Sequence, residues 1–161
     1  MAAEALRHVA CCELIADVAR VSGETRLRVT GTSMLPGILP GDVLHVQSRK
    51  LTELKSGDVV LYSRQSKLTA HRIVRTLGDQ LIARGDSLFE ADPPVFSDEV
   101  VGQVVSVLRD DRSFRPVLSI GGRFVSWFLR RSDFAIHVVL FCNHLSRNLR
   151  GIQLAGYWHQ T

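Results

Sequence analysis

Hydrophobic and polar residues alternate with two different periods along this chain. Between positions 3 and 21 apolar side chains recur every three or four residues, namely at Leu6, Ala10, Leu14, Val18 and Val21. Charged residues fall between them, so the pattern predicts an amphipathic helix. Ser22 and Gly23 follow directly and are expected to end it.

The middle of the chain has the period-two alternation of strands. Six short runs rich in Val, Ile, Leu and Thr show it, at 25–31, 43–47, 58–63, 68–77, 80–84 and 99–109. Gly78-Asp79 separates two of these runs and predicts a hairpin turn, and Gly102 inside the last run predicts a β-bulge. The sequence therefore predicts a mainly β fold of the α+β class, built on a coiled antiparallel sheet.

After Pro116 the pattern becomes helical again, with two amphipathic segments between 121 and 150. Arginines alternate there with aromatic and aliphatic residues, which suits a helix lying on anionic lipid. A lid over the core or a surface for a partner protein are the alternatives. We expect three parts: an N-terminal helix at 1–22, a β domain at 23–116 and a C-terminal helical segment at 117–161.

The segment 29–42 has the most distinctive chemistry. Ser33 stands before two prolines, which disfavour a regular helix or central strand and leave an ordered loop at a strand exit. A serine hydroxyl attacks an acyl carbon when a base takes its proton and donors stabilise the oxyanion. Gly31 allows a tight turn that brings amides to such a site, and Met34 would fill an apolar pocket beside the reacting bond.

A base and an orienting acid follow in the sequence. His71 alternates with Thr69 and Ile73 on one face of a predicted strand, and imidazole has an ordinary pKa of about 6.5 that suits proton transfer near neutrality. Asp86 follows a glycine that permits close approach and is the first candidate to orient the imidazole. Asp92 is the reserve candidate. Arg72 is expected to face solvent.

Five boxes occur in a fixed order: Gly-Thr-Ser-Met-Leu-Pro, Lys-Ser-Gly-Asp-Val-Val-Leu-Tyr, Ala-His-Arg-Ile-Val, Arg-Gly-Asp-Ser and Val-Val-Gly-Gln-Val-Val. In this order they resemble the boxes of type I signal peptidases, whose wider group includes the self-cleaving SOS repressors. The resemblance covers about residues 25 to 110. Within that group the chain resembles the branch that pairs serine with histidine. The resemblance implies that Ser33 is the nucleophile, His71 the base and Asp86 the acid.

Composition limits the other function classes. With 161 residues, 45% hydrophobic and 22% charged, the chain has ordinary globular composition, and its net charge of +4 is too modest to indicate nucleic acid. Its three cysteines, Cys11, Cys12 and Cys142, make a poor disulfide framework and favour a reducing compartment. Neither metal-ligand spacing nor a phosphate loop occurs, so no metal or cofactor is expected.

The sequence thus predicts a serine endopeptidase that removes leader or signal peptides, with small residues before the cleaved bond as the resemblance implies. No run reaches the ~18 apolar residues of a membrane span, and charges interrupt any signal peptide. A cytoplasmic or peripherally membrane-associated enzyme is expected, its oligomeric state left open. The alternatives are a self-cleaving peptidase of the SOS-repressor type and an inactive module that binds leader peptides.

Overall fold

A computed structural model of the protein describes residues 13–117, which form a helix followed by an antiparallel sheet. The helical residues described are 13–22 (α1), and a 3₁₀ turn occupies Leu51–Glu53. The eight strands of the described region are β1 (Glu24–Arg28), β2 (Val43–Gln47), β3 (Val59–Arg64), β4 (Lys67–Leu77), β5 (Gln80–Arg84), β6 (Val95–Phe96), β7 (Val100–Arg109) and β8 (Arg112–Phe114). Their order across the sheet is β1-β2-β7-β3-β4-β5-β6, with β8 pairing to β7.

Strand β3 has both faces buried because apolar clusters cover the two sides of the sheet. Val59 and Leu61 belong to a cluster with β2, β7 and α1, whereas Val60 and Tyr62 belong to one with β4 and β5. Successive side chains of a strand point to opposite faces, so these four residues alternate between the clusters. This explains why the run is continuously apolar, as in strands covered on both sides.

Bulges bend the sheet where β7 meets its neighbours. Its register with β3 shifts just after the pair Leu61 and Gly102, and its register with β2 shifts after His45. A Cβ on Gly102 would collide with the backbone of Gln47, so this position needs glycine because two chains approach closely there. The predicted bulge is confirmed.

The mainly β, antiparallel prediction is confirmed for the described residues. The strands predicted at 43–47 and 80–84 have those bounds, and the hairpin at Gly78 forms with a φ of 60°. The first strand ends at Arg28, three residues earlier than predicted, because Val29 instead closes the loop that follows. The short strands β6 and β8 were not predicted, since two or three residues are too few to show a period.

The buried face of α1 differs from the prediction. Leu14, Val18 and Val21 are 64, 47 and 90% exposed, whereas Ala16 and Ala19 are buried against the sheet. Small side chains let a helix lie close to a sheet, so size alone did not identify the inner face. The predictions for residues 1–12 and 118–161, including the C-terminal helices and all three cysteines, lie outside the described residues. No helix within 13–117 is long and apolar enough to cross a membrane.

Candidate active site

Ser33 lies in the loop that connects β1 to β2. The loop is closed at its base by two backbone hydrogen bonds, Val29 N to Asp42 O and Gly41 N to Val29 O, both of 2.8 Å. Inside it the chain turns tightly, since the Ile38 amide donates to the Met34 carbonyl at 3.0 Å. The serine thus has a fixed backbone although it belongs to no strand or helix.

A buried ion pair anchors the far end of this loop. Arg109 on β7 donates to both carboxylate oxygens of Asp42, at 2.9 and 2.6 Å, and to the Gly37 carbonyl at 3.0 Å. The Asp42 side chain is fully buried and also accepts from the Leu39 amide. The contact with Leu39 closes the turn at this end of the loop, and the pair with Arg109 ties the loop to the sheet.

His71 on β4 meets the serine hydroxyl. Its Nε2 lies 2.9 Å from Ser33 Oγ, and the histidine is only 5% exposed. β4 pairs in antiparallel register with β3, His71 standing opposite Val60, so the imidazole is attached to a central, well-packed part of the sheet. The sequence prediction that Ser33 and His71 lie together is therefore matched by the geometry.

The carboxylate beside the imidazole is that of Asp92. Its Oδ2 lies 2.6 Å from His71 Nδ1, and the two side chains are 15 and 7% exposed. An ionised carboxylate only accepts hydrogen bonds, so Nδ1 carries the proton and donates it, which leaves the Nε2 lone pair facing Ser33. Both ring nitrogens of His71 are thus engaged, one by Ser33 and one by Asp92.

Asp86, the first candidate from the sequence, is held by Arg72 instead. The guanidinium donates to its two carboxylate oxygens at 2.9 and 2.8 Å, and also reaches the carbonyls of Gly57 and Pro116. Arg72 follows His71 on β4, so its side chain leaves the opposite face of the strand. The contact predicted between Asp86 and His71 is therefore replaced by one from Asp92. Arg72 is also partly buried rather than facing solvent.

The Arg-Gly-Asp-Ser segment braces the nucleophile loop. The Ser87 amide and hydroxyl both donate to the Ser33 carbonyl, each at 2.9 Å, and the hydroxyl also reaches the Thr32 carbonyl. A Cβ on Gly85 would stand 2.6 Å from that same Ser33 oxygen. The segment thus positions the backbone of Ser33, and its glycine is required by this close approach.

The segment that carries Asp92 is fixed from two directions. The Asp92 amide donates to the Ala83 carbonyl at 2.8 Å. Beyond it, Arg64 on β3 donates to the Pro93 and Pro94 carbonyls at 3.2 and 2.6 Å and pairs with Glu99. The hydrogen bonds from Arg64 lower the pKa of Glu99, so this pair is ionised near neutrality.

Tyr62 is buried beside the imidazole. Its ring meets that of His71 edge-on, with centroids 6.4 Å apart at 71°, and the residue is 4% exposed. Burial raises the pKa of Tyr62, and the nearby Asp92 carboxylate adds to the effect, so the phenol keeps its proton. Sequence reasoning missed this residue, whose signal was an aromatic side chain with a polar tip inside a buried strand.

The two other residues predicted for the site, Met34 and Gly31, are characterised by their packing. Met34 is 3% exposed and belongs to the apolar cluster that includes Ile38 and Leu44, so its side chain anchors the serine turn in the core. Gly31 is exposed, and a Cβ there would meet no atom within 4 Å. Close packing therefore does not require glycine at this position.

The arrangement joins a hydroxyl, an imidazole and a carboxylate in one chain of hydrogen bonds. A neutral imidazole can accept the hydroxyl proton while the carboxylate stabilises the resulting imidazolium, which is the chemistry of nucleophilic acyl transfer. Within residues 13–117 no group of three or more His, Cys, Asp and Glu side chains could hold a metal ion.

Comparison with known families agrees with this chemistry. Residues 12–91 match the family described as Peptidase S24-like, a family of serine-type peptidases in the same clan as signal peptidases and SOS repressors. The match covers the serine loop, β4 and most of the segment that leads to Asp92. A search of curated proteins finds no match to the chain.

Proposed function

Because this chain carries a Peptidase S24-like domain over residues 12–91, we propose that it is a serine endopeptidase acting through Ser33, His71 and Asp92. The observation that carries the proposal is the unbroken chain of contacts, 2.9 Å from Ser33 Oγ to His71 Nε2 and 2.6 Å from Nδ1 to Asp92. The assignment of the acid differs from that implied by the resemblance to signal peptidases, since Asp86 is engaged by Arg72.

The proposed reaction proceeds by an acyl-enzyme. Ser33 Oγ attacks the carbonyl carbon of the scissile peptide bond as its proton passes to His71 Nε2, and a tetrahedral oxyanion forms. The C–N bond then breaks, and the imidazolium gives that proton to the leaving amine. Water then attacks the serine ester as His71 takes its proton. The bond between the acyl carbon and Ser33 Oγ breaks, the imidazolium returns the proton to Oγ, and the carboxyl product leaves. Asp92 stays ionised throughout and stabilises the imidazolium.

The oxyanion requires donors close to the serine. We assign one to the backbone amide of Ser33 and a second to the loop near Gly31, whose exposed position leaves room for a substrate carbonyl. The hydrogen bond from the Ser87 hydroxyl to the Thr32 carbonyl supports this, because that carbonyl and the Ser33 amide belong to the same peptide unit. Preorganised donors of this kind stabilise the transition state without reorganising during the reaction.

The substrates that fit the resemblance to signal peptidases are leader-bearing precursor proteins with small residues before the cleaved bond. Peripheral contact of the C-terminal arginine-rich segment with anionic lipid would bring the enzyme to such precursors. Cleavage of the chain itself, as in the SOS repressors, would appear as two fragments of the purified protein.

The test is cleavage of an internally quenched peptide with alanine before the scissile bond. Ser33→Ala and His71→Ala should each lower kcat by about 10⁴-fold or more, because the three groups act as a unit. Ser97→Ala and His45→Ala remove the same groups elsewhere in the described region and should retain the parent rate. Cleavage at the parent rate by folded Ser33→Ala would refute the proposal.

A further inference from the structure

The carboxylate of Asp92 has more acceptor capacity than one imidazole uses. His71 engages Oδ2, and an ionised carboxylate offers about four lone-pair sites on two oxygens. A carboxylate held by a single hydrogen bond can rotate about its side-chain torsions and carry the imidazole with it. A second, fixed donor would hold Asp92 in the orientation that faces His71.

The register of the sheet places Tyr62 at this position. Tyr62 stands opposite Thr69 in the β3–β4 pair, and His71 stands opposite Val60. Residues two apart on a strand share a face, so the side chains of Tyr62 and His71 are diagonal neighbours on the same face. Their edge-on rings, with centroids 6.4 Å apart, show that they do meet.

The phenol hydroxyl of Tyr62 is buried and needs partners. The side chains of Asp92 and Thr69 lie close enough to this phenol to influence its pKa. A carboxylate can only accept, so a hydrogen bond between this phenol and Asp92 would use the phenolic proton, and one from the Thr69 hydroxyl would use the phenolic oxygen. Burial raises the pKa of Tyr62, so the proton stays in place across the pH range in which peptidases work.

A third residue, Arg64, holds both the ring of Tyr62 and the segment that bears Asp92. Arg64, two positions after Tyr62, places its guanidinium carbon 5.6 Å from the centroid of the tyrosine ring. The same guanidinium holds the carbonyls of Pro93 and Pro94, the two residues after Asp92. The ring and the segment that bears the acid are thus tied to one another through Arg64.

We propose that Tyr62 is a positioning residue of the Ser33–His71–Asp92 triad: its hydroxyl, oriented by Thr69, donates to Asp92 and fixes the carboxylate against His71. The inference rests on the proposed peptidase function. Tyr62 touches neither Ser33 nor a substrate in this scheme, because it acts through the acid. It should therefore affect turnover and the Asp92–His71 hydrogen bond but leave substrate binding unchanged.

The variant Tyr62→Phe tests this, since it removes the hydroxyl and keeps the ring against His71. We expect kcat to fall about 10-fold with KM unchanged, as for loss of a hydrogen bond to a charged group. Thr69→Val should lower kcat by a smaller factor. The matched control is Ser63→Ala, which removes a hydroxyl from the next residue of β3, on the opposite face, and should keep the parent kcat.

A second readout is independent of catalysis. The Nδ1 proton of His71 should give a far-downfield proton NMR resonance because it is held against a carboxylate. It should move upfield or broaden in Tyr62→Phe and stay in place in Ser63→Ala. The inference is overturned if the parent lacks this resonance, or if Tyr62→Phe retains both the parent resonance and the parent kcat. Inactivity of the parent would refute the peptidase proposal alone, since the resonance still decides the role of Tyr62.

Discussion

Replacement of Gly85 by alanine is the sharpest structural perturbation of the serine loop. The added Cβ would lie 2.6 Å from the Ser33 carbonyl oxygen and 2.9 Å from two side-chain carbons of Leu88, where ordinary contacts begin at 3.4 Å. Leu88 can rotate away, but the Ser33 carbonyl is backbone and is already held by Ser87. The loop must therefore shift by about 0.8 Å to accommodate the methyl group.

That shift should affect stability and catalysis together. Overpacking of this kind costs typically 1–3 kcal/mol, and a displacement near 1 Å at a reacting group can cost about 100-fold in rate. We expect Gly85→Ala to lower the free energy of unfolding by about 2 kcal/mol in urea titrations and the peptide cleavage rate by up to about 100-fold. Gly31→Ala is the control, because its Cβ meets nothing within 4 Å, and should change stability by less than about 0.5 kcal/mol. Parent stability and parent activity in Gly85→Ala would show that the close approach at Gly85 does not position Ser33.

Three further predictions follow from the ion pairs and the arginine-rich segment. Arg109→Gln should destabilise the fold by roughly 3 kcal/mol in urea titrations, because it removes the guanidinium that pairs with the fully buried Asp42. The control is Arg112→Gln, which changes an exposed arginine and should cost less than about 0.5 kcal/mol. An equally small loss in Arg109→Gln would refute the prediction. The lowered pKa of Glu99 stabilises the folded state above its ordinary value of 4.5, and this stabilisation is lost as pH falls through the lowered value. The difference in urea midpoint between the parent and Glu99→Gln should therefore shrink well below pH 4.5, and a constant difference would contradict the assignment to the Arg64 pair. In flotation assays at low salt, the full chain should bind anionic vesicles more tightly than neutral ones, with about 1 kcal/mol of binding free energy for each arginine near the surface. Equal recovery with both vesicles would favour the alternatives for the arginine-rich segment, a lid over the core or a surface for a partner protein.

Local patterns identified most of the sheet but not the partners of its charged residues. The periods of β2 and β5 and the hairpin at Gly78 are local properties, so the sequence predicted them with correct bounds. The inner face of α1 depends instead on fit against the sheet, and two alanines occupy it rather than the larger Leu14 and Val18.

The choice between Asp86 and Asp92 also depends on contacts between distant parts of the chain, which local patterns do not reveal. Both lie in one loop after β5, and either could reach an imidazole by sequence separation alone. What decides is Arg72, which holds Asp86 from the face of β4 opposite to His71. An arginine next to the base in the sequence offers a competing partner for any nearby carboxylate, and this signal can be read from the sequence alone. Tyr62 was harder to find, because its contact with the site arises from the register between β3 and β4.

The proposed chemistry requires a covalent acyl intermediate on Ser33, so trapping that intermediate is the decisive experiment. The parent protein would be quenched in acid during turnover of an alanine-containing peptide substrate and mapped by mass spectrometry. We expect a mass gain equal to the acyl part of the substrate on the peptide that contains Ser33, and no such gain in Ser33→Ala. Cleavage of the substrate with the acyl group on a different residue, or with equal turnover by Ser33→Ala, would contradict it.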